Sequence, residues 1–306
     1  MKSSLDHLPE KKQRELARVV EIIHEEFENA LKGAEAEFKK KGRIWKIILF
    51  GSYARGTWVD EPHTAKGYRS DYDILIIVST KKLADPEYWY AAKDRLIRDR
   101  GIKTPVTPII HSRREVGDAL HQGRYFFSDI RRDGIVLYEA DGKDLPAAKV
   151  PSRELIYEAA KSYYDHRLAD ARVFLKTSKF CRAEGDFRQA AFLLHQSLEQ
   201  AYSGLLLVFS NYSPASHSLG LLRNLAEQQR QDLAEVWPRD RHRYVAWFNT
   251  LNEAYVKARY SPYYIISEEA LSWLIARSER LIDAVDAACT DYISQLAIPI
   301  ERSSRS

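Results

Sequence analysis

Apolar and polar residues follow two different rhythms along this chain, and the change falls near its middle. Between Pro9 and about Lys40, the residues Leu16, Val19, Val20, Ile23, Phe27, Ala30 and Leu31 recur at three- and four-residue steps among charged neighbours. That spacing gathers side chains onto one stripe of an amphipathic helix. The run Ile44 to Phe50 (IWKIILF) is short, β-branched and apolar and ends at a glycine, which predicts a strand leading into a helix start at Ser-Tyr-Ala-Arg. Tyr72 to Val78 (YDILIIV) and Pro105 to His111 (PVTPIIH) predict two more strands, with helices over 87–100 and 113–120. Strands interleaved with helices predict a small mixed sheet flanked by helices.

Around Asp141 to Arg153 the sequence ADGKDLPAAKVPSR is polar, carries prolines and has no sustained period, the composition of a linker. From Glu154 onward strand signals stop, and amphipathic stretches follow at 154–180, 186–209, 217–235, 240–259 and 267–296. These predict a helical bundle. The expected architecture is an α+β N-terminal domain with a small mixed β-sheet over residues 1–145, a linker at 146–153, and an all-α domain over 154–300.

Composition changes this picture little. A length of 306 residues with 45% hydrophobic content suits two domains, each with its own core. Lys plus Arg total 47 against 43 Asp plus Glu, which permits a nucleic-acid or nucleotide partner without requiring one. The two cysteines, Cys181 and Cys289, fall in predicted helices and match neither a disulfide scaffold nor a zinc site. With no apolar signal core and no run of about 18 apolar residues, the expectation is a soluble protein of the reducing cytoplasm with no membrane partner.

The candidate chemistry lies in the first half. At the strand-to-helix junction, Gly51 lets a phosphate approach the backbone and Ser52 can donate a hydrogen bond. In Ser70-Asp71-Tyr72-Asp73 the two carboxylates are alternate residues at the start of a strand, so they share a face. Two adjacent anions call for a cation, and Mg²⁺ binds through one or two carboxylates plus substrate phosphates. Either element alone is common; strand, Gly-Ser, helix and then D-x-D opening a second strand is a far rarer combination.

FGSYARG followed by SDYDILI resembles the minimal nucleotidyltransferases of the polymerase β superfamily, the group related to kanamycin nucleotidyltransferase, over about residues 44–140. The resemblance implies that Gly51 and Ser52 grip a nucleoside triphosphate and that Asp71 and Asp73 are catalytic and hold Mg²⁺ or Mn²⁺. Arg55 would either face phosphate or brace the helix. The implied reaction moves a nucleoside monophosphate to a hydroxyl of a protein, an RNA or a small molecule. Two departures stand out. The stretch WVDEPHTAKGYR lengthens the gap between Gly51 and Asp71 and carries His63, Lys66 and Arg69. Thr107 occupies the place where relatives carry a third carboxylate, so another group (Asp94, Glu115, Asp118 or His111) substitutes, catalysis is weak, or the domain only binds nucleotide.

In the second half, FRQAAFLLHQSLEQAYSGLLLVF, HSLGLLRNLAEQ and LNEAYVKARYSPYY resemble the HEPN family, helical domains found beside minimal nucleotidyltransferases. Many members carry an R-x(4 to 6)-H motif for metal-independent RNA cleavage, and Arg188 and His195 have that spacing. Seven residues return to nearly the same helix face. However, Gln189 replaces the polar residue that usually follows the arginine, and the pair falls on an earlier helix than the motif usually occupies, so a surface arginine with a packed histidine remains open. The resemblance implies an alternative function, an RNA-binding or RNA-cleaving effector with a nucleotide-sensing first domain. It also implies a homodimer formed through the helical domain and a toxin–antitoxin or phage-defence setting. Finally, Arg239, Arg241, His242 and Arg243 precede Tyr244, Trp247 and Phe248, a run suited either to a polyanion or to a solvated face.

Overall fold

The computed structural model describes residues 1–33, 35–59 and 70–303, with side chains as far as residue 297. The chain divides into two compact units between Val150 and Pro151.

The first unit opens on α1 (Glu10–Leu31), which buries Leu16, Val19, Ile22, Ile23 and Phe27 along one stripe. The expected single helix to Lys40 is in fact interrupted. Gly33 takes φ +73° and a separate turn, α2 (Glu37–Lys40), follows, because a left-handed residue ends the helical hydrogen-bond ladder. Then come β1 (Ile44–Phe50), α3 (Gly51–Arg55), β2 (Tyr72–Val78), α4 (Tyr90–Arg98), β3 (Val106–Ser112), α5 (Arg113–His121), α6 (Tyr125–Asp133) and β4 (Ile135–Glu139). The sheet order is β3-β2-β1-β4; β1 runs antiparallel to β2 and β4, while β2 and β3 are parallel. The sheet is mixed. Its central strand β2 is buried at every position, which is why its sequence reads as a continuous apolar run rather than an alternation.

Sequence periodicity does not anticipate two of these elements. β4 is a five-residue edge strand with three half-buried positions, too short and too mixed to carry a period-2 signal. α6 buries only Phe126, Phe127 and Ile130, and Phe126 meets Phe50 edge to face at 5.4 Å.

The second unit contains α7 (Arg153–Ala183), α8 (Phe187–Ser210), α9 (Leu219–Gln229), α10 (His242–Tyr260) and α11 (Glu268–Ser303). Ser152 caps α7 by accepting from the Leu155 amide. α8 is the central helix: α7, α9, α10 and α11 all pack on it, so residues as different in facing as Ala190, Leu194, Ser197, Ala201, Leu205 and Val208 are buried together. The stretch expected as a helix over 217–235 is shorter, α9 ending at Gln229 with a 3₁₀ turn over Gln231–Val236. Among the described residues no helix is long and apolar enough to cross a membrane.

One buried ion pair fixes α9. The Glu227 side chain is 1% exposed, and Arg239 Nη2 donates to both its carboxylate oxygens at 2.8 Å, with Arg223 Nε 3.7 Å away. Arg239 is therefore committed to the fold and is not part of a solvated basic run. Removing one partner of such a pair leaves the other charge uncompensated in a poorly solvated place. Glu227→Ala should lower unfolding free energy by about 3 kcal/mol in urea titrations; a loss under about 1 kcal/mol would show that water reaches the pair.

Candidate functional site

The site is built by strand register. Phe50, the last residue of β1, lies opposite Asp73 in β2, and Asp73 lies opposite Thr107 in β3. Neighbouring strands are about 4.8 Å apart, so the turn after Phe50, the aspartate and the threonine are held side by side at one edge of the sheet. Gly51 begins that turn with φ +73°, a conformation that favours glycine. Asp71 immediately precedes β2 and shares the face of Asp73 by the two-residue strand period. Asp73 is 1% exposed and Asp71 is half-buried. Thr107 Oγ1 donates a 3.0 Å hydrogen bond to Asp71 Oδ2, so this threonine lies on the carboxylate side of β3 and orients Asp71.

The opposite face of β2 explains why the aspartates stay in place. Tyr72, between them in sequence, points to the other side, where its hydroxyl donates to Glu15 Oε2 at 3.3 Å and to the Lys12 carbonyl at 3.4 Å. The Thr104 amide donates to the same Glu15 oxygen at 3.3 Å, and Lys12 Nζ donates to Thr104 Oγ1 at 2.6 Å. Burial raises the Tyr72 pKa well above its ordinary value, so the phenol remains a donor. α1 is thereby tied to the start of β2 and the entry of β3 by buried polar groups, which are costly to leave unmade. Farther along, the Val59 amide donates to Ser70 Oγ at 3.0 Å, and the Ser70 amide to the Val59 carbonyl at 2.8 Å. The stretch between them, with His63, Lys66 and Arg69, lies outside the described residues.

Other candidates are placed elsewhere. Arg55 is exposed and lines a cavity of about 650 Å³ with Met1, Lys2, Asp6 and His7; its charge acts on Asp129 and Asp133 of α6. Asp94 pairs with Arg98 at 2.9 Å and Asp118 with Arg114 at 3.6 Å, each on an exposed helix face. Glu115 closes a capping box with Ser112 at the start of α5. His111 packs edge-on against Phe127 at 5.3 Å, and burial pushes its pKa down. It lies four residues along β3 from Thr107, roughly 13 Å at strand rise. Among the described residues no group of three or more His, Cys, Asp or Glu side chains is arranged to hold a metal ion. Two carboxylates at one strand end nevertheless fit Mg²⁺, which keeps most of its waters and completes its shell with substrate phosphates.

In the helical unit, Arg188 and His195 are both occupied by packing. Arg188 Nη2 donates to the carbonyls of Ala258 and Ser261 at 3.0 and 2.9 Å, satisfying the C-terminal end of α10. His195 is fully buried. Its Nε2 donates to the His217 carbonyl at 2.9 Å, and its Nδ1 accepts from Gln196 at 3.3 Å, an assignment that makes it a neutral imidazole. Burial is the main cause pushing its pKa down to about 4; the hydrogen bond to the His217 carbonyl opposes it, and the charges of His217 and Arg259 add to it.

Residues 164–288 match the HEPN domain. In the N-terminal region, a 52-residue stretch is 54% identical to the protein of Methanocaldococcus jannaschii named Putative protein adenylyltransferase MJ0604. The stretch covers 17% of this chain and 39% of that relative, so the two are compared over well under half of either length. The chain thus combines a region similar to a nucleotidyltransferase with a HEPN domain.

His195 supplies a pH test. Its pKa in the fold, about 4, lies below the ordinary 6.5, so the unfolded chain binds the proton more readily. The stability it contributes is complete above pH 6.5 and is lost as pH falls through 4. The difference is on the order of 3 kcal/mol. His195→Gln keeps a donor for the His217 carbonyl and cannot titrate, so its urea stability should fall less than that of the wild type between pH 7 and 4. Parallel curves would contradict a buried neutral His195.

Proposed function

We propose that the N-terminal unit is a Mg²⁺-dependent nucleotidyltransferase that moves AMP from ATP to a hydroxyl group of a protein. The observation that carries this reading is the register placing Gly51, Asp71, Asp73 and Thr107 at one sheet edge. The name of the M. jannaschii relative favours adenylyl transfer and a protein acceptor over RNA or a small molecule.

In this reading the Gly51 backbone, with no Cβ in the way, and the Ser52 hydroxyl receive the triphosphate. Asp71 and Asp73 would hold the cation, which supplies neutralisation of phosphate charge and polarisation of the α-phosphoryl group. Thr107 fixes the orientation of Asp71, and α1 holds β2 from behind. The acceptor oxygen bonds to the α-phosphorus, the bond from that phosphorus to the bridging oxygen breaks, and pyrophosphate leaves. In this reading no side chain is assigned as general base, and the hydroxyl proton passes to solvent. Nucleotide binding and turnover are then separable, since positioning and electrostatics remain while general-base assistance, typically worth a factor of about 10² to 10⁴, is forgone. RNA cleavage by the helical unit is not favoured, because Arg188 and His195 are both committed to the fold.

ATP labelled at the α-phosphate, with Mg²⁺ and a protein mixture as acceptor, provides the test. Label should enter protein, and Asp73→Asn should reduce incorporation by about 10²-fold or more. Thr107→Asp should raise turnover about tenfold by returning an acid to the face of Asp71 and Asp73. Incorporation of γ-label instead, or equal α-label transfer by wild type and Asp73→Asn, would contradict the proposal.

A further inference from the structure

The basic run before α10 acquires a second half that only the fold reveals. Tyr244 and Trp247, on the first turns of α10, meet Trp273 and Arg277 of α11. Tyr244 stacks on Trp273 with centroids 4.6 Å apart and planes 4° from parallel, and Trp247 lies 5.7 Å from Tyr244 and 5.5 Å from Trp273. Arginines surround the rings. Arg243 sits 5.1 Å from the Tyr244 centroid and 5.3 Å from that of Trp247, Arg241 lies 5.8 Å from Tyr244, and Arg277 lies 5.4 Å from Trp273. Arg280 is close enough to act on Arg277 electrostatically. The three rings are half-buried, and Arg241, Arg243 and Arg280 are exposed. Behind them Trp237, 2% exposed, and buried Phe248 supply the core packing, with ring centroids 4.9 Å apart.

We propose that this arginine–aromatic surface on α10 and α11 binds a single-stranded polynucleotide, with bases stacking on Tyr244, Trp247 and Trp273 and phosphates held by Arg241, Arg243, Arg277 and Arg280. The surface lies on the first turns of α10, whereas Arg188 contacts its last turn, so it is a binding surface distinct from the spaced arginine–histidine pair. Its acidic neighbours are Asp240 and Glu269, and the Arg243–Glu269 contact is 3.6 Å between exposed groups, a pairing that a polyanion displaces at little cost. Four arginines against two carboxylates select a polyanion. The rings select among polyanions: base faces stack on aromatic and guanidinium planes, whereas an acidic peptide offers charge without that area. Single strands are favoured over duplex because the bases of a duplex are already stacked on one another. The proposal is independent of the transfer reaction of the N-terminal unit.

The test is fluorescence anisotropy of the full chain with a labelled oligonucleotide of roughly 12 residues, in RNA and DNA arms, with a duplex and a polyglutamate of equal charge as competitors. Binding of one or both single strands is expected. Arg243→Glu and Tyr244→Ala should each weaken it about tenfold, while Lys161→Glu, the same charge change on an exposed face of α7, should leave it within twofold. Thermal unfolding of each variant identifies any that fails to fold, and Arg241→Glu, ahead of the helix, then serves as the replacement. Loss of RNA binding with DNA unaffected, or the reverse, would support the proposal and identify the polymer. No binding of either strand, equal weakening by Lys161→Glu, or competition by duplex or polyglutamate as strong as by the single strand would overturn it.

Discussion

Everything in the candidate site depends on the antiparallel pairing of β1 with β2 in the register that sets Phe50 against Asp73. A shift by one residue would turn Asp73 to the α1 face and Tyr72 toward the site, because strand side chains alternate. Two sets of contacts hold the register. The apolar positions of β1 and β2 are buried almost throughout, which resists slippage, and Tyr72 is anchored to Glu15 and Lys12 on the far side. The buried polar cluster beneath the sheet therefore has its counterpart in the acidic pair above it. Fixing the tyrosine in one direction fixes the aspartates in the other.

The helical unit uses polar residues differently. Glu227 with Arg239, Arg188 with the end of α10, and His195 with the His217 carbonyl are all directed inward, where each satisfies a group that burial would otherwise leave unpaired. Other cations stay at the surface, and Arg241, Arg243, Arg277 and Arg280 lie around three half-exposed rings of α10 and α11. The same composition thus yields a structural arginine at 239 and a surface one at 243, four residues apart.

Much of this was legible in the sequence, and the failures have physical causes. Long periodic stretches and buried β-branched runs announced α1, β1, β2, β3 and the five long helices. The Gly-Ser turn and D-x-D pair announced the nucleotidyltransferase resemblance. β4 was hidden because a short edge strand, exposed on one side, lacks a clear period, and the break in α1 because Gly33 interrupts a pattern whose apolar residues continue beyond it. The resemblance sets Thr107 where an acid is expected, but its hydrogen bond to Asp71 depends on the β2–β3 register. The Arg188/His195 spacing fits a motif, and only their hydrogen-bond partners in the fold show that both side chains are occupied. Trp273, about thirty residues beyond Tyr244 in sequence, joins it through packing of α10 against α11 that no local pattern encodes.

In the proposed function the register of β1, β2 and β3 lets Asp71 and Asp73 share one divalent cation with a triphosphate. Electron paramagnetic resonance of Mn²⁺ titrated into the full chain, with and without a non-hydrolysable ATP analogue, measures this directly. Mn²⁺ binding should tighten at least tenfold when the analogue is present, relative to the analogue without protein, and should be lost in Asp73→Asn while Glu115→Gln retains it. Mn²⁺ binding that ignores the analogue, or that survives Asp73→Asn unchanged, would contradict the proposal.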